Sequence, residues 1–311
     1  PEGFATHEVY VQGLFTSLPE EVQLAMLRSI PALERAEIMR AGYAIEYDFC
    51  PPDQISRSLE TKRVEGLFLA GQINGTSGSE EAAAQGIIAG INAARKVQGK
   101  PPIILGRDQA YIGVLIDDLA TKELEEPYRL LTSRAEYRLL LRQDNADLRL
   151  VPVGYEAGLV SYARYAAVER KRQAIAAELA RLANTELRPD AQTEEALARL
   201  GLPPLGNRVS ALQFLRRPEV TYETLQRLGK CPADLPADWI EQITIEAKYA
   251  GYIERQQRQV ERMRRMESWR IPVDLPYGEL TGIRLEAREK LERFRPVTLG
   301  QASRIQGVSP A

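Results

Sequence analysis

The stretch Gly71-Gln72-Ile73-Asn74-Gly75-Thr76-Ser77-Gly78-Ser79-Glu80-Glu81 sets three glycines among small polar residues, directly after the apolar run Leu67-Phe68-Leu69-Ala70. Glycine permits positive φ and lets the backbone come close to another group. Where such a loop opens a helix, the unpaired N–H groups and partial positive charge of the first turn suit a phosphate or an electron-rich ring edge. The pattern predicts a buried strand over Gly66–Gly71, a turn, and a helix through Ala94 with Ala82, Gly86 and Gly90 on its packed side. A plain βα turn of an α/β domain reads this stretch equally well. Neither a Gly-Lys-Ser/Thr phosphate loop nor a G-x-G-x-x-G fingerprint occurs in the chain.

A second candidate lies between Tyr128 and Arg149, where Arg129, Arg134, Arg138 and Arg142 interleave with Tyr128 and Tyr137. The last three arginines are four residues apart, which on a helix makes one basic stripe. Guanidinium forks match phosphate, and arginine and tyrosine planes both stack on unpaired bases, so the pattern suits RNA. The same residues could equally form a salt-bridged face with Glu136, Asp144 and Asp147. A third stretch, 248–270, sets Lys248, Arg255, Arg258, Arg262, Arg264, Arg265 and Arg270 against Glu254, Glu261 and Glu267, a net of +4. A cationic helix of this kind follows a phosphate backbone or docks an acidic partner.

The rest of the composition works by exclusion. His7 is the single histidine among 311 residues, which removes multi-His metal sites and His–Cys zinc clusters; no metal site is expected. Cys50 and Cys231 are too few for a disulfide scaffold and point to a reducing, cytoplasmic setting. Cys50, beside two prolines, reads as a small packed side chain. No apolar run approaches the ~18 residues of a membrane span, and no signal peptide opens the chain, so no membrane role is expected. Hydrophobic residues at 44% and charged residues at 27% are enough for a sizeable core. The formal charge is −2, with 9 Lys and Arg against 13 Asp and Glu through residue 105 and 32 against 30 beyond it. That asymmetry alone does not argue for nucleic acid. The opening Pro1-Glu2-Gly3, without a Met, suggests a piece of a longer protein.

Two kinds of architecture must hold these residues. Residues 1–105 read as α/β, with strand-like alternation at Glu8–Val11 and Gly42–Phe49 and a helix opening at Leu18-Pro19-Glu20-Glu21 that carries Val22, Met26 and Ile30. Residues 106–150 form a connecting segment. Residues 151–311 read as an all-α domain: Tyr165, Val168, Ile175, Leu179 and Leu182 share one helix face, and Ile243, Ala247, Ala250, Ile253, Val260 and Met263 share another. Pro203-Pro204, Pro232, Pro236 and Pro272 break the segments between them.

The run from Leu69 through Gly86, LAGQINGTSGSEEAAAQG, closely resembles the signature of the MnmG (GidA) family, flavoproteins that modify the wobble uridine of tRNA. Matching stretches recur at Gly42–Phe49, Glu126–Arg129, Thr132–Leu139, Asp144–Leu150, Lys248–Ile253 and Arg295–Gly307, nearly end to end. The chain looks like the C-terminal half of such an enzyme, stopping at Pro310-Ala311 where the family continues into a hydrophobic tail helix. On this resemblance residues 1–105 would be the C-terminal part of a Rossmann-like FAD-binding domain. The family's N-terminal dinucleotide fingerprint and its two catalytic cysteines have no counterpart, so no catalytic residue is expected here, and neither Cys50 nor Cys231 inherits that role. Tight FAD binding and turnover by this chain alone are not expected.

The resemblance implies that Gln72 contacts FAD and that Asn74, Gly75, Thr76, Ser77 and Gly78 form a backbone cradle beside the flavin. It also implies binding of the tRNA anticodon loop by Arg129, Arg134, Arg138 and Arg142, with Lys248, Arg255 and Arg262 taking either tRNA or the partner GTPase MnmE. A homodimer is the family's usual assembly. The implied reaction adds an aminomethyl or carboxymethylaminomethyl group at C5 of uridine 34, with NADH as reductant and methylene-tetrahydrofolate as one-carbon donor. Among the carboxylates near the presumed flavin, Glu46, Asp48, Glu80 and Glu81 are expected to cap a helix or pair with arginine. Two alternatives remain: a folate- and FAD-dependent methyltransferase making 5-methyluridine in tRNA, which lacks a long helical C-terminal region, and a non-catalytic tRNA-binding module.

Overall fold

The computed structural model describes residues 1–14, 16–124, 126–231 and 234–308, so that Pro232 and Pro310-Ala311 lie outside the described residues. The chain divides into two compact units, Pro1–Asp48 and Phe49–Ala311.

In the first unit, α1 (Glu20–Arg28) begins behind Pro19, with Glu20 and Glu21 in its first turn and Arg28 in its last, charges that complement the helix dipole. Its apolar residues Val22 and Met26, and Ile30 just beyond it, stay exposed. What turns inward is Gln23, whose amide donates to the carbonyls of Leu18 (2.7 Å) and Gly42 (2.9 Å) and accepts the Gly42 N–H (2.8 Å). The strands expected at Glu8–Val11 and Gly42–Phe49 do not form among the described residues. Tyr43, Ile45 and Tyr47 keep the period of two in the sequence, but a strand exists only through its ladder, and among the described residues no segment supplies one. The buried strand expected over Gly66–Gly71 is likewise reduced to one bridge, Glu60 with Phe68.

The second unit is built of helices. In chain order they are α2 (Ser79–Val97), α3 (Tyr111–Thr121), α4 (Ala146–Glu156), α5 (Tyr162–Asn184), α6 (Ala191–Arg199), α7 (Ala211–Leu215), α8 (Tyr222–Arg227), α9 (Ala237–Ser268), α10 (Leu285–Phe294) and α11 (Leu299–Ala302). Their starts are coded locally. Ser161, Asp190, Ser210 and Thr221 accept a backbone N–H three residues on, at the heads of α5, α6, α7 and α8, and Pro236 precedes α9. Helix ends follow the prolines: α6 stops before Pro203-Pro204 and α9 before Pro272.

The single sheet among the described residues is the antiparallel pair β1 (Glu186–Leu187) and β2 (Val209–Ser210), with Glu186 opposite Ser210 and Leu187 opposite Val209. It ties α5 to α7 rather than forming the layer of an α/β domain. The helical expectation for the region beyond residue 150 stands. Ile175 and Leu182 of α5, Leu197 of α6, Phe214 and Leu215 of α7, Tyr222 and Leu225 of α8, and Ile243 and Ala247 of α9 form one buried core. A smaller core gathers Tyr277, Leu291, Phe294, Ala302 and Ile305 at the C-terminal end, and another gathers Ile55, Leu59, Ile88, Ala89 and Ile116 around α2 and α3.

Candidate functional site

The glycine turn keeps its shape through a buried polar clasp. Gly71 (φ +88°) and Gly75 (φ +83°) flank a 3₁₀ turn at Gln72–Asn74. Gln85, fully buried on α2, accepts the Gly71 N–H (3.1 Å) and an Asn74 amide N–H (2.8 Å), and donates to Thr76 Oγ1 (3.0 Å). Asn74 and Thr76 therefore face the protein interior and shape the turn, whereas Gln72 and Ser77 are exposed. A Cβ on Gly75 would lie 2.6 Å from the Phe49 ring and 2.8 Å from Leu124, so the glycine is required by the chain's own packing. The Asn74 Oδ1 acceptor is buried without a partner among the described residues. Gln85 stood inside the run that carries the resemblance, but nothing in the sequence marked it as the clasp.

The head of α2 differs from the expectation of free outward donors. Glu81, 4% exposed, folds back against it; a Cβ on Gly78 would fall 1.7 Å from its Oε2. Oε1 accepts the Leu130 N–H (2.9 Å) and the Arg129 Nε–H (3.1 Å), and Oε2 has no partner among the described residues. Burial works to raise this carboxyl, but the Leu130 N–H, its own N–H and the Arg129 guanidinium together hold it below the ordinary carboxylate range. Of the two roles expected for Glu81, the pairing with arginine is the one formed, and no side-chain hydrogen bond caps the head of α2. The Tyr128 N–H donates to the Gly75 carbonyl at 2.7 Å, so the turn and the arginine segment are stitched together at two points.

The arginines do not form the expected helical stripe. Thr132–Arg134 is a 3₁₀ turn and no α-helix spans 134–142. The segment is instead held by tertiary contacts, among them Arg107 donating to the Arg134 carbonyl (3.1 Å), the acceptor an α-helix would offer to residue 138. Arg134 lies 4.4 Å over the Tyr128 ring and donates to the Arg129 carbonyl (2.9 Å). Arg138 is exposed and has no polar partner among the described residues. Arg142 is turned inward, donating to Asp144 (3.1 Å), the Leu139 carbonyl (2.7 Å) and Glu246 of α9 (3.2 Å). The Asp144 pairing is the salt-bridged alternative read from the sequence. On α9, Lys248 caps the carbonyls of Arg217 (2.8 Å) and Pro218 (3.1 Å), while Arg255, Arg258, Arg262 and Arg265 form one exposed row.

Beneath the arginine segment lies a buried ionic network that the sequence did not reveal. Arg107, 3% exposed, donates to Asp118 (2.6 Å) and Asp117 (3.2 Å) of α3, and Tyr128 Oη donates to Asp118 (2.8 Å). Arg304, beside α11, donates to Asp117 at 2.6 and 2.9 Å, and Arg57 lies 3.3 Å from it. A cavity of about 450 Å³ opens between residues 104–109 and α9, away from the glycine turn. Cys50 and Cys231 are half-buried free thiols with pKa raised by burial, which makes them weak nucleophiles. Among the described residues no three His, Cys, Asp or Glu side chains gather as metal ligands, and no helix is long and apolar enough to cross a membrane.

Comparison with known proteins gives a consistent result along the chain. Residues 1–101 match the family model described as glucose inhibited division protein A. Residues 162–257 and 259–311 match those described as the C-terminal helical domain and C-terminal helical bundle of the tRNA modifying enzyme MnmG/GidA. Curated relatives named tRNA uridine 5-carboxymethylaminomethyl modification enzyme MnmG include one from Roseiflexus castenholzii, 60% identical, and one from Listeria welshimeri, 58% identical. Both matches cover all of this chain but 46% and 49% of the relatives, so the chain spans about half their length. The form II crystal structure of Aquifex aeolicus GidA superposes with a TM-score of 0.82 at 44% identity, covering 100% of this chain and 49% of that one. From its first residue to its helical C-terminal end, this chain belongs to the MnmG (GidA) family.

Proposed function

We propose that this chain supplies the RNA-contact surface and one wall of the FAD site of a tRNA wobble-uridine-modifying enzyme, working with the GTPase MnmE to install aminomethyl or carboxymethylaminomethyl groups. The observation that carries this reading is the double stitch between the glycine turn and the arginine segment, Tyr128 N–H to Gly75 and Leu130 N–H to Glu81. It sets the turn read as cofactor-facing beside the segment read as phosphate- and base-binding.

The turn fits a flavin edge in part. Gln72 and Ser77 face outward, while Asn74, Thr76, Gly75 and Gly78 hold the shape. Glu81 already neutralises the helix head, so the contact belongs to Gln72, Ser77 and the turn's peptides rather than to the helix dipole. When bound, FAD supplies the redox chemistry that these side chains lack, with NADH and methylene-tetrahydrofolate as co-substrates. Arg129 and Arg138 offer exposed guanidinium groups for anticodon-loop phosphates, and the Arg134–Tyr128 stack offers a plane beside them. Uridine at an unpaired wobble position needs little energy to leave its stack. The exposed row Arg255, Arg258, Arg262 and Arg265 extends the cationic surface for tRNA or for an acidic face of MnmE. In this reading residues 1–105 complete the flavin domain, 106–150 read RNA and 151–311 dock partners, in a cytoplasmic homodimer. Arg142 is spent on bonds to Asp144, Leu139 and Glu246, and Lys248 on the carbonyls of Arg217 and Pro218, so neither is offered to RNA as Arg129 and Arg138 are.

Binding of a tRNA anticodon stem–loop measured against salt tests the RNA half. The double substitution Arg129→Ala with Arg138→Ala should weaken binding and flatten the slope of log affinity on log salt by about 1.4, at roughly 0.7 per lost phosphate contact. An unchanged slope refutes it.

A further inference from the structure

Glu81 is an acidic side chain placed where an RNA-binding surface should least tolerate one. Its carboxylate is 4% exposed and the guanidinium it holds is 57% exposed, so the pair is asymmetric: the anion lies beneath and the cation above. Only Arg129 Nε is engaged, at 3.1 Å; the two terminal nitrogens have no partner among the described residues. The carboxylate is itself fixed by the Leu130 N–H at 2.9 Å and by its seat against Gly78, where any side chain would collide with Oε2. Gly78, Glu81 and Leu130 together form a socket that sets the direction of one arginine.

We propose that Glu81 is a positioning residue for RNA recognition, holding Arg129 by its Nε so that the two terminal nitrogens are presented together to one RNA phosphate. The proposal rests on the RNA reading given above. A guanidinium already held by one nitrogen loses less side-chain freedom when its fork takes a phosphate, and the fork is the part suited to bidentate contact. Lysine could supply the charge at 129 but neither the Nε anchor nor the fork. The socket gives a prediction opposite in sign to simple electrostatics. Removing a carboxylate near a polyanion should tighten binding by lowering repulsion. Removing a carboxylate that aims an arginine should weaken it.

The test is a double-mutant cycle on the full 311-residue chain, with a fluorescent tRNA anticodon stem–loop as probe and thermal unfolding as a check on the fold. Glu81→Gln keeps the size and an Oε1 acceptor for both Leu130 and Arg129 but turns the charge-assisted hold on Arg129 into a weaker neutral one; it should weaken RNA binding by about fivefold, a typical coupling for contacting groups. Arg129→Ala should weaken binding by about tenfold, and adding Glu81→Gln to it should cost nothing further. Equal or tighter binding by Glu81→Gln overturns the proposal, as does the same loss in the Arg129→Ala background, which would make Glu81 a general scaffold residue. If Arg129→Ala binds like the parent chain, the RNA reading at Arg129 falls and this inference falls with it. Should Glu81→Gln lose its thermal transition, Arg129→Lys takes its place: a loss of about fivefold supports the socket, and full affinity overturns it.

Discussion

Asp117 is wholly buried in α3 and is met by Arg57, Arg107 and Arg304, guanidinium groups from three separate stretches of chain. Burial alone would raise its carboxyl, but Arg304 foremost, then Arg57 and Arg107, hold it below the ordinary range. Removing it leaves Arg57 and Arg304 sharing Glu267, and Arg107 held by Asp118 and Glu136, so the buried positive charge is under-compensated. Asp117→Ala should therefore destabilise the chain by about 3–5 kcal/mol in urea unfolding at neutral pH. Because the folded carboxyl is more acidic than the unfolded one, its stabilisation is fully present above the ordinary carboxylate range and is lost as pH falls below about 4. The stability gap between parent and Asp117→Ala should narrow on acidification; a gap independent of pH between 7 and 3 would refute the assignment. The same scale limits what spacing can reveal. Arg129, Arg138 and Arg142 looked alike in the sequence, yet one is anchored by a buried glutamate, one has no polar partner among the described residues and one is spent on Asp144 and Glu246. Side-chain type gave the chemistry each could do, and neighbours distant in sequence chose which of them could do it.

Elements were legible where local signals and apolar period agreed. α5 and α9 carry Val168, Ile175 and Leu182, and Ile243, Ala247, Ile253 and Val260, buried as their periodicity required, with Ser161 or Pro236 at the start. The segment 134–142 was misleading because its four-residue arginine spacing is helical, whereas its backbone and side chains are held by tertiary contacts from Arg107 and from Gln242 and Glu246 of α9. α3 shows a further constraint that is invisible in sequence. A Cβ at Gly113 would lie 2.2 Å from the Gly106 carbonyl oxygen and 2.7 Å from that of Leu105, both rigid backbone atoms. Gly113→Ala should separate α3 from residues 104–107 and cost about 1–3 kcal/mol, the usual penalty for overpacking, despite alanine's better helix propensity. A stabilised variant in thermal unfolding would show that the approach is looser than this geometry.

Across the whole molecule burial is uneven. In Pro1–Asp48 the one buried side chain among the described residues is Gln23, and Tyr43, Ile45 and Tyr47 stay exposed, whereas the unit from Phe49 onward holds the helical cores. Local opening should follow that division: amides of 42–48 should exchange with deuterium on the order of 100-fold faster than those of α5 and α9. Comparable protection would mean that the 42–48 segment is paired more firmly than its backbone shows. The sequence by itself determined the helical C-terminal region, the glycine turn, the inventory of arginines and the family, because caps, prolines, apolar period and motif identity are properties of residues close together in the chain. Only the tertiary structure decided that Gln85 clasps the turn, that Glu81 occupies the head of α2, and that Asp117 gathers Arg57, Arg107 and Arg304. Those are contacts between segments tens to hundreds of residues apart, or depend on which way a helix faces, and neither is encoded by spacing. The strands read at 8–11 and 42–49 belong with them, since alternation fixes a period while a ladder needs a second strand in place.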